Sequence, residues 1–197
     1  RCKGGYGSDI SANVGENIKV SVFGQSHSKA IGGVIDGLPA GLTIDMEELK
    51  AFMKRRAPGG KAYATARKEA DVPEFLSGLV ENTTCGAPLC AVIHNKDTRS
   101  SDYENLKNIP RPGHADYPAQ IKFQGFQDVA GGGHFSGRLT APLCVAGNIC
   151  MQALRERGIQ VAAHIYRIAH VQDRPANLTD LTQAELLKVR EKEFPVL

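Results

Sequence analysis

Apolar and polar residues alternate over Ile18-Lys-Val-Ser-Val-Phe23, the period-two pattern of a half-buried strand. The pattern breaks at Gly24-Gln-Ser-His-Ser28, and Ala30-Ile-Gly-Gly-Val-Ile35 is a second short apolar run. Asp36 to Gly41 is dense in turn-forming residues. From Asp45 the period becomes helical: Met46, Leu49, Phe52 and Met53 fall on one face. Asp45 is placed to cap this helix, with Glu48 as its capping-box partner. Arg55 and Arg56 lie in the last turn, where cations suit the helix dipole, and Pro58-Gly59-Gly60 stops it. Pro73 to Val80 predicts a short strand or turn segment, and Pro88 to Ile93 a buried strand, while Asn95 to Pro110 is polar and turn-rich. Leu139 to Arg157 returns to helical spacing, with Leu143, Ala146, Ile149, Cys150, Ala153 and Leu154 on one face. Pro142 sits in its first turn, and Gly158 is suited to the position just past its end. Gln160 to Val171 alternates as a strand, with Val161, Ala163 and Ile165 on one side, and Thr182-Gln-Ala-Glu185 is a capping box for a last helix. Strands and helices mix without a regular βα alternation. An α+β, or β-α-β layered, architecture is therefore expected over a doubly wound sheet.

The 197 residues make one domain the default, with two the alternative. Residues 1 to 16 are Gly- and Ser-rich without a period and are expected to be a flexible leader or tag. The apolar runs are too short to span a bilayer, which argues against a membrane partner. Five cysteines, an odd count in a chain showing no signal peptide, fit reduced thiols and a cytoplasmic location. Their spacings suit small core residues rather than a metal site, so no metal ligand is assigned. A net charge of +3 is too small to steer a ligand by itself. The distribution matters more: Lys50, Lys54, Arg55, Arg56, Lys61, Arg67 and Lys68 cluster with no acidic residue among them. Such a cluster attracts phosphates, carboxylates or a nucleic-acid backbone, and a solvated face is the bland alternative.

Chemistry concentrates between Arg111 and Arg138. Arg111-Pro-Gly-His-Ala-Asp-Tyr117 and Gly131-Gly-Gly-His-Phe-Ser-Gly-Arg138 combine histidines, arginines, an aspartate, a serine and glycines in loop-like sequence. Three glycines let a backbone approach a ligand closely, and a following helix start, hydroxyl and guanidinium make an anion cradle. The stretch is neither a P-loop nor a Rossmann fingerprint. His27 and His114 lie in loops, and an imidazole of pKa near ~6.5 can move a proton near neutrality. The residues alone describe an enzyme or binding protein for a multiply anionic small molecule. A non-catalytic anion or nucleic-acid binding module is the alternative, disfavoured because only Phe52 and Tyr63 interleave the basic cluster.

Five motifs, in order, resemble chorismate synthase. They are Phe23-Gly-Gln-Ser-His27, Gly32-Gly-Val-Ile-Asp-Gly-Leu-Pro-Ala-Gly41, Lys54-Arg-Arg-Ala-Pro-Gly59, Arg111-Pro-Gly-His-Ala-Asp-Tyr117 and Gly131-Gly-Gly-His-Phe-Ser-Gly-Arg138. The resemblance implies the β-α-β sandwich of that family, here its amino-terminal portion over residues 17–197, and a chain truncated relative to the family. It implies 1,4-anti elimination of phosphate from 5-enolpyruvylshikimate 3-phosphate to give chorismate. The implied cofactor is reduced FMN, with NADPH as a possible reductant, and the implied assembly is a homotetramer. By the same resemblance His27 protonates the departing phosphate beside Ser26, and His114 protonates the reduced flavin. Arg56, Arg111 and Arg138 hold the substrate's anionic groups, and His134, Phe135 and Ser136 line FMN. The chain departs from the family pattern at Gln25, Ser28, Ala57, Ala62, His134 and Phe135. The family's catalytic aspartate and remaining FMN-phosphate contacts lie beyond the matched part. The 197 residues by themselves are therefore expected to show little or no activity.

Overall fold

The computed structural model describes residues 12–57, 70–96, 109–175, 181–192 and 194–197. It divides into two compact units, one up to Cys150 and one from Met151. Lys61, Arg67 and Lys68 of the basic cluster lie outside the described residues, as does the predicted helix stop at 58–60.

The first unit is built on a five-stranded antiparallel sheet of order β1-β2-β3-β7-β4. The strands are β1 (Asn13–Val14), β2 (Lys19–Gly24), β3 (Ala30–Asp36), β4 (Glu74–Ser77) and β7 (Leu89–His94). Between β4 and β7 come β5 (Leu79–Val80) and β6 (Thr83–Thr84), which pair with each other. β2 falls where the alternation placed a strand, and β7 where the apolar run from Pro88 to Ile93 placed a buried one. Asn13 and Val14, inside the stretch read as a leader, pair with Ser21 and Val20 as an edge strand.

The register explains the core. Ile31 faces Ile93, Gly33 faces Ala91 and Ile35 faces Leu89, and on the other side of β3 Val20 faces Ile35. Residues two apart share a sheet face, so these rows make one apolar face with a saddle of small residues at its centre. Ile31, Ile35, Leu89 and Ile93 are fully buried. Helix α3 (Thr140–Arg155) begins on that saddle: a Cβ added at Gly33 would touch Pro142 Cβ at 3.4 Å. On the opposite face the Phe23 ring lies over Gly32, leaving no room for a side chain there.

Helix α1 (Met46–Arg56) starts as its sequence predicts, Asp45 Oδ1 accepting from Glu48 N at 2.9 Å. Leu49 and Met53 are its buried residues. Glu48 Oε1 accepts from the buried Asn148 Nδ2 at 3.3 Å, joining α1 to α3. The buried stripe of α3 overlaps the expected face at Ala146 and Ile149 but differs from it elsewhere. Ala141, Val145, Ala146, Asn148, Ile149 and Gln152 are buried while Leu143 is 43% exposed, so the inner face is rotated towards two amides. Cys85 is likewise exposed rather than a core residue, whereas Cys144 and Cys150 are half-buried and burial raises both thiol pKa values.

In the second unit, α3 closes at Gly158 (φ +74), with Ile159 N donating to Leu154 O at 3.0 Å. The strand expected over 160–171 is absent there among the described residues. Only β8 (Arg167–Ile168) and β9 (Val171–Gln172) pair, as a small hairpin. Val161 and Ala163 are exposed, so the alternation has no sheet to bury against. His164 is half-buried, its Nδ1 3.6 Å from Asp173, while His170 is exposed in the hairpin turn. Thr182 and Glu185 form the predicted capping box of α4 (Gln183–Lys188). Among the described residues no helix is long and apolar enough to cross a membrane.

Candidate active site

The β2–β3 connection presents Ser26 and His27. Gly24 leaves the strand at φ +95, a conformation that places it close against Ala30 and Ile31. The turn is tied by the Ser28 hydroxyl, which accepts from Gln25 N at 3.0 Å and lies 2.9 and 2.7 Å from the carbonyls of Gln25 and Ala30. Asn95, just past the end of β7, clamps the same turn from outside. Its Nδ2 donates to Ser28 O at 2.7 Å and to Gln25 O at 3.3 Å. Ser28 is therefore a staple of the turn.

The glycine loop docks onto this turn. Ser26 N donates to Gly133 O at 3.0 Å, and His134 Nδ1 donates to Gly24 O at 2.9 Å. That bond places the proton on Nδ1 and leaves Nε2 of the neutral ring as the acceptor. Gly131, Gly132 and Gly133 have φ of +61°, +93° and +55°, conformations costly for residues with a Cβ. At Gly131 space also forbids one: a Cβ would overlap the His27 ring and stand 2.8 Å from Ser26 Oγ. The loop then turns at Ser136, whose Oγ accepts from Arg138 N at 3.2 Å.

Arg56 and Arg138 converge on one carboxylate that sequence reading did not single out. Asp71 is 2% exposed and has φ +49. Its Oδ2 accepts from Arg56 Nη1 and its Oδ1 from Arg138 Nη1. Arg56 Nη2 also donates to Gly137 O at 3.2 Å and Thr140 Oγ1 at 3.1 Å, and Arg138 Nε to Asn95 Oδ1 at 3.0 Å. The Arg138 side chain is 4% exposed and that of Arg56 20%. Two guanidiniums on one carboxylate leave a single formal positive charge, with Arg56 the more accessible of the pair. No spacing signal marks Asp71, which lies 15 residues from Arg56 and 67 from Arg138.

Arg111 and His114 belong to a second cluster. Asp116 receives three bonds from Arg111: backbone N at 2.9 Å, Nε at 2.8 Å and Nη2 at 2.9 Å. The Arg111 side chain holds the Asp116 carboxyl at about 2, well below the usual carboxylate range. The bidentate fork fixes the loop ahead of α2 (Asp116–Lys122). His114 is exposed, with Nδ1 3.3 Å from Pro112 O. Phe123, at the end of α2, meets Phe135 of the glycine loop with ring centroids 5.8 Å apart. Ser26 and His27 thus lie against Gly131, His134 bonds to Gly24 at the start of the same turn, Arg56 and Arg138 share Asp71, and Asn95 joins the two groups. Arg111 and His114 adjoin through α2 and the Phe123–Phe135 pair.

These features define an α+β protein with a fixed imidazole, a glycine-lined loop and an arginine pair in one neighbourhood. A sequence model of the chorismate synthase family matches residues 18–194. The chain is 43% identical over 199 residues to a chorismate synthase of Lancefieldella parvula, covering 95% of this chain and 52% of that one. It is 47% identical over 158 residues to a chorismate synthase of Thermococcus kodakarensis, covering 80% of this chain and 44% of that one. A crystal structure of chorismate synthase superposes with a TM-score of 0.66 at 22% identity, over 92% of this chain and 48% of the other, a likeness of fold. The chain belongs to the chorismate synthase family, and it spans about half the length of the curated relatives it matches.

Proposed function

We propose that the whole protein eliminates phosphate from 5-enolpyruvylshikimate 3-phosphate in a 1,4-anti sense, giving chorismate, as a carbon–oxygen lyase of the cytoplasm. The observation that carries the reading is the meeting of the His27 turn, the glycine loop and the Asp71-held arginines. The donor set suits a trianionic substrate. Arg56 offers a preorganised, partly exposed guanidinium to an anionic group, which needs little reorganisation when negative charge moves onto the leaving phosphate. His27 is the residue for protonating that phosphate, and its ring lies where a side chain on Gly131 would stand. Arg111, its loop fixed by Asp116, and Arg138 are the further proposed anion contacts, with Ser26 beside His27.

The residues also fit a flavin. A Cβ at Gly132 would meet only Ser136 Cβ at 3.8 Å, so the loop has an open flank beside the Ser136 hydroxyl. Phe135, 43% exposed, offers an aromatic face, and the Nδ1–H bond of His134 orients its ring. His134, Phe135 and Ser136 would hold FMN. Held there in its reduced form, the flavin would supply transient electron donation without being consumed overall. His114 has Nδ1 beside a carbonyl, so Nε2 is the nitrogen that exchanges a proton. NADPH is the possible reductant, and a homotetramer is the proposed assembly.

The test is an anaerobic assay of the whole protein with reduced FMN. Chorismate and phosphate should appear in equal amounts, and absence of chorismate would sink the reading. His27→Ala and His114→Ala should each lower turnover by roughly 10²–10⁴-fold, the usual range for a proton-transfer group. The 197 residues alone, which span about half of their relatives, are proposed to turn over little or no substrate. Measurable chorismate from them would refute that part.

A further inference from the structure

Asp71 is a buried charge to which the proposed chemistry gives no part. Its carboxylate is inaccessible, it holds Arg56 on one oxygen and Arg138 on the other, and its backbone adopts a left-handed conformation. Such a conformation in a non-glycine residue persists where the surroundings fix it, and it clusters at functional sites. From Asp71 the bonds run in two directions. One passes through Arg56 to Gly137 O and Thr140 Oγ1 at the start of α3. The other passes through Arg138 to Asn95, and from Asn95 to the carbonyls of Gln25 and Ser28 on either side of Ser26 and His27.

We propose that Asp71 is a positioning residue of the active site: it orients Arg56 for the substrate's anionic group and, through Arg138 and Asn95, holds the turn that presents His27. The inference rests on the functional reading above. A purely electrostatic role makes the opposite forecast. Removing a negative charge beside two guanidiniums would tighten binding of a trianion, whereas loss of orientation weakens it.

The variant is Asp71→Asn, which keeps the volume and tolerates the left-handed backbone. In the whole protein it should raise KM for the substrate roughly 10–100-fold, the scale of one lost hydrogen bond to a charged group. It should also lower kcat through the His27 turn. In an Arg56→Gln background the KM effect of Asp71→Asn should largely vanish, because the second substitution removes nothing further. An additive effect, or a lower KM, would overturn the proposal. A second readout does not depend on the substrate. Nitrogen-15 relaxation of the Arg56 and Arg138 Nε–H groups should show both rigid in the 197-residue chain and both mobile in Asp71→Asn; unchanged mobility would overturn the proposal. If Asp71→Asn fails to fold, hydrogen exchange at Arg138 Nε in the unaltered chain decides: protection supports the network and free exchange refutes it. Should the unaltered whole protein neither bind nor convert the substrate, the functional reading falls and the Nε measurements still judge Asp71.

Discussion

Gly131→Ala isolates the placement of His27 from its chemistry. The perturbation is one methyl group on a residue at φ +61, pressed against the His27 ring and 2.8 Å from Ser26 Oγ. Two costs follow. An Ala in the left-handed region costs about 1–2 kcal/mol, reduced by a few tenths because Ala also restricts the unfolded chain. The overlap must be relieved as well, since carbon atoms pack at about 3.5–4.0 Å. The loop is held to the turn by the Ser26 N–Gly133 O bond, so the ring is the part that yields, by roughly 1 Å. A misplacement of about 1 Å at a reacting group can cost about 10² in rate. Turnover of the whole protein, followed as chorismate formation, should fall about 100-fold with a much smaller change in KM. The melting temperature should drop by roughly 2–8 °C, from about 2–4 °C per kcal/mol for a chain of this size. A variant that melts lower yet turns over within about twofold of the parent would refute the claim that the glycine exists to seat His27.

Other outcomes follow from the same geometry. The Asp116 carboxyl is held at about 2 in the folded protein, chiefly by the Arg111 side chain, against ~3.9 in an unfolded chain. A depressed carboxyl pKa stabilises the fold above pH ~4 and loses that contribution as pH falls towards 2; Asp116→Asn should flatten urea-unfolding stability across that window, and an unchanged slope would count against the pair. Thr182→Ala removes the hydroxyl half of the α4 capping box, leaving the residue's backbone N–H to donate to Glu185, and should cost about 1 kcal/mol, read as a lower urea midpoint with unchanged slope. Ile149→Ala at a fully buried site of α3 should cost about 2–5 kcal/mol, and a loss under about 1 kcal/mol would mean that the α3 face is not packed as described.

Sequence periodicity located the elements whose signals are local. β2, α1 with its Asp45 cap and the Thr182–Glu185 box all fall where alternation or capping chemistry put them. It misjudged elements decided by partners far along the chain. The alternation of 160–171 predicts a strand, but alternation describes a surface, and among the described residues only Arg167–Ile168 and Val171–Gln172 find strand partners. On α3, helical spacing places Ala146 and Ile149 inside, as found, but also Leu143, which is exposed. The inner face instead buries Asn148 and Gln152, and Asn148 has Glu48 as its partner 100 residues away. A polar residue can be buried once its hydrogen bonds are met, and that condition is invisible to a hydrophobic count.

The candidate site repeats this division. His27, His134, Ser136 and the glycines stand in motifs that announce themselves, yet their grouping depends on contacts between positions about a hundred residues apart, such as His134 with Gly24. Asp71 and Asn95 carry no motif at all, and their worth lies wholly in whom they touch. A guanidinium destined for an anion must be aimed before the anion arrives, and a lone surface arginine is not. Burying one carboxylate between two arginines aims both, and it leaves a single net charge, which a folded protein tolerates at low cost where two unpaired cations would be expelled to water. The amide of Asn95 then couples the pair to the His27 turn without adding charge. The arginines were conspicuous in sequence as candidate ligand groups, whereas the residue proposed to aim them was hidden by having its chemistry fully consumed inside the protein.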